Sequence, residues 1–334
     1  MAFNFHLGYP KAGSTTLQRN VFLPSSKINY LGLNPRNSIA EPKIASGGPL
    51  EIASLYNENP EVRELYDLLL NCSAIKFDYA KARMLWKTLL GKYGTGGWPL
   101  VFSHEGFLSA RFQNPAIYEK LAILKELIND EDVRFLILIR NQSDLLQSLY
   151  RDWPFDPLTF GVRQRAVTFD EWWKIDSSQK YHSHTISLDY YSVVDTVQRL
   201  FGDDSVVMVP LELAIQDPGR FSSMISLVTG VGESEVSAGF SEGMVANHGI
   251  TESANRYRIF RSRMAGRLTR VIPGRVTLKR VDQAIENHLK KIGGKAKVEV
   301  SNEIQSVISD FYRAGNAGLS ERIGIDLGEL GYPV

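Results

Sequence analysis

A three-layer α/β fold, with a central parallel sheet flanked by helices, is what the sequence predicts, and three observations carry that prediction. Near the N-terminus a strand-like apolar pattern runs into a glycine loop and then into a short helical pattern. A second apolar run, Val133 to Ile139, has the nearly unbroken hydrophobicity of a strand buried on both faces. Around these two, strand and helix patterns alternate, as a parallel sheet covered on both sides requires.

The elements follow in order. Phe3, Phe5 and Leu7 alternate with Asn4 and His6, the period of a strand. After the loop Gly8 to Thr16, the residues Leu17, Val21 and Phe22 suit a short helix stopped near Pro24. A turn-rich stretch runs from Ser25 to Pro49, and helical patterns follow at Glu61 to Leu70 and Tyr79 to Leu90. Residues 31–97 therefore read as a helical insertion, not as a second domain. Gly94, Gly96, Gly97 and Pro99 break the chain before a strand at Leu100 to Ser103. A helix near Pro115 to Asn129, the Val133 strand and a helix through Asp144 to Tyr150 come next. Thr168 and Glu171 have capping-box spacing and open a helix carrying Trp172 and Trp173; a strand follows at Ser205 to Val209. Residues 245–334 read as mostly helical, with an apolar stripe of Ile304, Val307, Ile308, Phe311 and Tyr312. The whole of 1–334 is expected to be one domain.

Composition agrees with this plan. With 334 residues and 43% apolar content the chain can bury a substantial core. No stretch approaches the apolar length of a bilayer span, and the first strand begins too early to leave room for a signal peptide, so a soluble protein is expected. One cysteine, Cys72, excludes an intrachain disulfide and reads as a small, partly buried hydrophobe. His182 and His184 form a pair without a third ligand, and no metal site is expected.

The loop Gly8-Tyr9-Pro10-Lys11-Ala12-Gly13-Ser14-Thr15-Thr16 has the glycine spacing of a nucleotide-binding P-loop, which makes the predicted fold P-loop-type. The first helical turn leaves backbone N–H groups without intrahelical partners, and the positive end of the helix dipole points the same way. The Lys that should follow the second glycine is replaced by Ser14, and the loop's own Lys11 precedes Gly13 by two residues. That displacement argues against an ordinary ATPase. The Val133 strand ends in Arg140 where a metal-dependent nucleotide enzyme would place an Asp, and a fixed cation repels a metal and welcomes a phosphate. Ser148 follows Arg140 by two helical turns, so the two can share one anion.

With these residues on view, the chain resembles the sulfotransferases that use 3′-phosphoadenosine 5′-phosphosulfate (PAPS), in their bacterial form. Pro10-Lys11-Ala12-Gly13-Ser14-Thr15-Thr16-Leu17 is similar to the family's P-K-x-G-T-T-x-L signature, with Ser14 in place of the usual Thr. Arg140 to Ser148 is similar to its second signature. Weaker similarity continues through Leu188-Asp189-Tyr190, Phe201-Gly202, Val206 to Val209, Pro210-Leu211-Glu212, Asn316, Leu319 and Gly331-Tyr332-Pro333, whereas residues 31–97 match nothing in the family.

The resemblance implies PAPS as sulfuryl donor, adenosine 3′,5′-bisphosphate (PAP) as product and no metal. It implies that Lys11, Ala12, Gly13, Ser14, Thr15 and Thr16 bind the 5′-phosphosulfate and that Arg140 and Ser148 bind the 3′-phosphate. Lys11 would stand at the oxygen between sulfur and the departing phosphate. By the same analogy the enzyme is expected to be cytoplasmic and prokaryotic, and to act on a hydroxylated small molecule, saccharide or glycolipid.

A base must take the acceptor's proton, and Ser103-His104-Glu105-Gly106 lies at a strand end, where open α/β sheets place their ligand crevice. Glu105 is the first choice, since several carbohydrate sulfotransferases use a Glu, and His104 is the second, since the small-molecule branch uses a His. Neighbouring strand residues point to opposite faces, so both are not expected to face the acceptor. An ATP-dependent kinase-like enzyme and a non-catalytic nucleotide-binding protein are the alternative classes. Trp153, Trp172 and Trp173, with Tyr150, Phe155 and Phe160, read as core residues, with an acceptor cleft as the other reading.

From Asn255 to Val281 there is no acid, while eight Arg and Lys279 fall in the interval, leaving the rest of the chain at −8 against +1 for the whole. Tyr257, Phe260, Met264, Leu268 and Val271 lie at helical spacing within it. A solvated basic amphipathic helix is the ordinary reading; contact of 256–280 with an anionic polymer or membrane surface is the alternative. Nucleic acid is not expected, since no recognition motif accompanies the charge.

Overall fold

The computed structural model describes residues 3–32, 60–94, 97–109, 115–128, 131–155, 166–179, 183–246 and 297–334, with isolated positions between 253 and 289. Its centre is a five-stranded, all-parallel sheet in the order β2-β3-β1-β4-β5, made by Phe3–Leu7 (β1), Asn29–Gly32 (β2), Leu100–His104 (β3), Val133–Ile139 (β4) and Val206–Pro210 (β5). The α/β class expected from the sequence is what is observed.

β1 lies in the middle of the sheet, and all five of its residues are buried, including Asn4 and His6. One side of the sheet is aromatic. Phe5 stacks on Phe102 and Phe135 at 5.0 and 5.7 Å, and Trp86, from the helix Tyr79–Tyr93, closes over Phe3, Phe5 and Phe102. The opposite side carries the polar partners. His6 lies level with Ser103, and its Nδ1 is 2.7 Å from the Ser103 hydroxyl, which also accepts from Gln18 at 3.0 Å. Burial pushes the His6 imidazole down to about 3, so it is neutral at ordinary pH.

Helix α1 is one turn, Ser14–Leu17, and continues as a π-type turn, Gln18–Phe22, ahead of Pro24 as the sequence predicts. The expectation of a turn-rich stretch from Ser25 to Pro49 needs correction at residues 29–32, which form the edge strand β2, and residues 33–49 lie outside the described residues. Four residues with two polar ends are too short for a strand pattern to stand out. Helices α2 (Pro60–Asn71) and α3 (Tyr79–Tyr93) pack on each other and on α4 (Ile117–Ile128).

After β4 come α5 (Gln142–Asp152), α6 (Phe169–Ser177), α7 (His184–Ser187) and α8 (Tyr190–Phe201). The Thr168–Glu171 capping box forms in both directions and opens α6, whose Trp172 and Trp173 are buried. β5 is followed by α9 (Leu213–Gln216), α10 (Pro218–Thr229) and α11 (Glu233–Ala246). The last helix, α12 (Asn302–Ile323), lies along α8 and α5. Its buried line is Ile304, Ile308, Tyr312, Asn316 and Leu319. Val307 and Phe311, expected in the apolar stripe, are 40% and 46% exposed because that line runs along one narrow edge of the helix.

The basic segment read at 256–280 lies, apart from isolated positions, outside the described residues, as do Phe160 and His182. Among the described residues, no helix is long and apolar enough to cross a membrane.

Candidate active site

The carboxyl ends of β1, β3, β4 and β5 open onto one edge of the sheet, and each contributes a residue there. The turn after β1 is drawn tight by two hydrogen bonds, Ala12 N–H to the Tyr9 carbonyl and the Ser14 hydroxyl to the same carbonyl, both 3.3 Å. Two of its residues adopt left-handed backbone, Lys11 at φ 69° and Gly13 at φ 90°. For Gly13 that costs little. For Lys11, the one non-glycine with positive φ among the described residues, it costs on the order of 1 kcal/mol, a strain that the surrounding contacts must hold in place.

Gly8 is needed for space. A β-carbon there would stand 2.4 Å from the Ser14 hydroxyl oxygen and 3.3 Å from Glu105 Cγ. Gly13 caps α1 with no side chain, so the first-turn amides face whatever lies in the loop. Ala12, Ser14 and Thr16 are buried, and they offer backbone to an anion more readily than side chain. Thr15 is exposed, and its hydroxyl donates to Glu105 Oε1 at 2.9 Å.

Glu105 and His104 separate where the strand gives way to a turn: His104 is the last residue of β3 and Glu105 the first residue beyond it. Glu105 turns to the glycine loop through Thr15. His104 is buried against Tyr66, ring centroids 5.1 Å apart, and its Nδ1 accepts the Gly106 N–H at 2.7 Å. Beneath this turn lies Lys120 of α4, with no exposed surface. Its ammonium donates to the carbonyls of Gly106 at 2.8 Å and Ser109 at 3.1 Å, tying down both ends of the segment after Glu105.

From β4, the Arg140 guanidinium donates to the Lys11 carbonyl at 3.2 Å and lies 3.8 Å from Asp144. The two predicted phosphate motifs, 129 residues apart in sequence, are thus in contact. Asn141 caps α5, its side chain accepting from the Ser143 and Asp144 amides. Asp144, Ser148 and Asp152 recur every four residues and share one face of α5. Ser148 is partly buried on that face. At its end, the Asp152 carboxylate forms an ion pair with the Lys11 ammonium. Arg151 is beside it, its guanidinium held below the ordinary range by burial and by repulsion from Arg140.

Several residues that brace this edge come from stretches far apart in sequence. The Tyr190 hydroxyl donates to the Arg140 carbonyl at 2.7 Å, and the Tyr9 hydroxyl donates to the Ser187 carbonyl at 2.8 Å. Their rings meet edge to face at 5.1 Å. Glu212, just beyond β5, accepts the Asn141 N–H on one oxygen at 2.9 Å and the Tyr332 hydroxyl on the other at 2.7 Å. Burial drives the hydroxyls of Tyr9, Tyr190 and Tyr332 above the ordinary tyrosine range, so all three remain donors. Gln142 and Asn316 exchange amide hydrogen bonds at 2.7 and 3.2 Å, and Asn316 also donates to the Pro333 carbonyl. The C-terminal segment is thereby fastened behind Arg140.

Among the described aromatic candidates, Tyr150, Phe155, Trp172 and Trp173 are buried, and Trp153 is partly exposed. Tyr150, Phe169 and Trp172 form one cluster, with His184 packed on Trp172 at 6.0 Å. Asp176 accepts from Ser183, His184 and Thr185. Burial alone would raise its carboxyl, but the His184 charge and these donors outweigh it and hold the group below the ordinary range. Among the described residues, no three acidic, histidine or cysteine side chains gather as a metal site.

No protein-family model matches the sequence, and no curated protein matches it. Among solved structures, several are similar in backbone. A sulfotransferase from Alicyclobacillus acidocaldarius is 14% identical with a TM-score of 0.48, covering 98% of each chain. Retinol dehydratase in complex with androsterone and inactive cofactor PAP is 14% identical with a TM-score of 0.40, covering 94% of this chain and 80% of that one. Mouse sulfotransferase SULT7A1 complexed with PAP is 13% identical with a TM-score of 0.38, covering 92% of this chain and 88% of that one.

Proposed function

We propose that this protein is a sulfotransferase that moves the sulfuryl group of PAPS to a hydroxyl of a saccharide or glycolipid. The observation that carries the reading is the contact between Arg140 at the end of β4 and the Lys11 carbonyl in the glycine loop. It brings the backbone of the glycine loop against a guanidinium, at the position where a magnesium-dependent enzyme would need a carboxylate. A donor with phosphate at both the 3′ and 5′ ends suits that pair, whereas a nucleoside triphosphate has nothing to offer Arg140 at its 3′ end.

In this reading the first-turn amides of Gly13 to Thr16 and the Thr15 hydroxyl hold the 5′-phosphate. Arg140 and Ser148 hold the 3′-phosphate. The acceptor oxygen bonds to sulfur as the bond from sulfur to the phosphate oxygen breaks, and PAP leaves. Lys11 neutralises charge growing on that departing oxygen, and Glu105 takes the acceptor's proton. Glu105 is favoured over His104 because its carboxylate faces the loop at Thr15, whereas the His104 Nδ1 is engaged with Gly106. A placed base contributes about 10²- to 10⁴-fold, and a charge-stabilising donor about 10²- to 10³-fold.

Thermal melting with PAP and with ATP plus magnesium tests the donor; the expected result is stabilisation by PAP without metal. Transfer of radiolabelled sulfate from PAPS to neutral saccharides, glycolipids and small hydroxylated compounds tests the reaction. Stabilisation by ATP plus magnesium alone would point to a kinase-like enzyme, and PAP binding without transfer to any acceptor would point to a non-catalytic protein.

A further inference from the structure

We infer that Asp152 is a positioning residue that competes with the donor for Lys11 and so sets donor affinity, an inference that rests on the sulfotransferase reading. The two side chains form an ion pair and are 39% and 38% exposed, within reach of an incoming anion. Lys11 is held at its backbone by a left-handed conformation and by Arg140 at its carbonyl, so the ammonium is the part left to move.

The site of Asp152 argues that this pairing is not needed by the helix. Asp152 is the last residue of α5, where the helix dipole favours a cation and a carboxylate is the wrong sign. An exposed ion pair contributes about 0–1 kcal/mol to folding, so stability gives little reason for it. Its consequence falls on binding. A donor phosphosulfate that draws the Lys11 ammonium must break the contact with Asp152 and leave that carboxylate facing new negative charge.

The test is a double-mutant cycle read by calorimetric titration of PAP into wild type, Asp152→Asn, Lys11→Met and the double variant. Removal of the competitor is expected to tighten PAP binding about 3- to 10-fold, equivalent to about 0.7–1.4 kcal/mol. In the Lys11→Met background the same change is expected to give under about 2-fold, because only the field of the carboxylate is then removed. A structural lesion does not tighten binding, so the direction of change separates positioning from damage. If wild type binds PAP and Asp152→Asn binds it equally or more weakly, the inference is overturned while the sulfotransferase reading stands. A gain as large without Lys11 as with it also overturns the inference, and failure of wild type to bind PAP overturns both.

Discussion

Glu212 is the residue whose loss carries the most information about how this edge is built. Its two oxygens accept from the Asn141 backbone at 2.9 Å and from the Tyr332 hydroxyl at 2.7 Å, so one carboxylate joins the end of β4 to the C-terminal segment. Glu212→Ala leaves both donors without this acceptor. A hydrogen bond to a charged group contributes about 1.5–3 kcal/mol, and Asn141, partly exposed at a helix start, recovers some of that from water. Tyr332 is 3% exposed and recovers little. The expected cost is therefore about 2–4 kcal/mol, or a fall of about 4–16 °C in Tm at the 2–4 °C per kcal/mol typical of somewhat smaller domains. Arg140 adjoins Asn141, so PAP affinity is expected to fall about 3- to 10-fold, or roughly 0.7–1.4 kcal/mol. Glu212→Gln keeps one acceptor oxygen but offers an N–H to the other donor, and it should fall between wild type and the Ala variant. Scanning fluorimetry gives the Tm order and calorimetry the affinity. An Ala variant as stable as wild type would refute the account of the brace.

Three further perturbations test other links. His6 has a folded-state value near 3 against 6.5 when unfolded, so its neutral form is favoured by folding; stability is full above pH 6.5 and lost as pH falls from there toward 3. The slope is at most about 1.4 kcal/mol per pH unit, and urea denaturation at pH 7 and pH 5 should show His6→Gln losing less stability than wild type over that interval. Lys120→Met removes the donor to the Gly106 and Ser109 carbonyls and should cost about 2–4 kcal/mol in urea denaturation. Because those carbonyls follow Glu105, kcat/KM for the acceptor should fall further than PAP affinity, and equal falls would count against a role at this turn. Gly8→Ala forces a β-carbon to 2.4 Å from the Ser14 hydroxyl oxygen, an overpacking that costs about 1–3 kcal/mol and moves the loop, so PAP binding measured by titration should be largely lost.

What the sequence made legible, and what it did not, follows from how far apart the interacting residues lie. The glycine loop with α1, and β4 with α5, are each a strand, a turn and a helix written in consecutive residues. Their patterns therefore showed in full, down to the run Val133–Ile139. Glu105 and His104 do point apart, but the cause is the turn that begins after His104, the end of β3, and not the strand alternation used to expect it. By contrast β2 has four residues and takes its identity from pairing with β3, about 70 residues later.

The same physics hid how the brace connects, although Tyr190, Glu212, Asn316 and Tyr332 all lie in the stretches of weaker similarity. Tyr190 reaches Arg140 across 50 positions, Glu212 reaches Asn141 across 71, and Asn316 reaches Gln142 across 174. No periodicity marks such residues, because strand order alone brings them together: β5 lies beside β4, and α12 lies along α5 and α8. Asp152 was the exception within reach. Its four-residue spacing from Asp144 and Ser148 places it on the helix face that follows Arg140, and only its sign sets it apart, since a phosphate draws cations and repels a carboxylate. A carboxylate among them is informative for that reason, because it adds nothing to anion binding except a term that the donor must overcome.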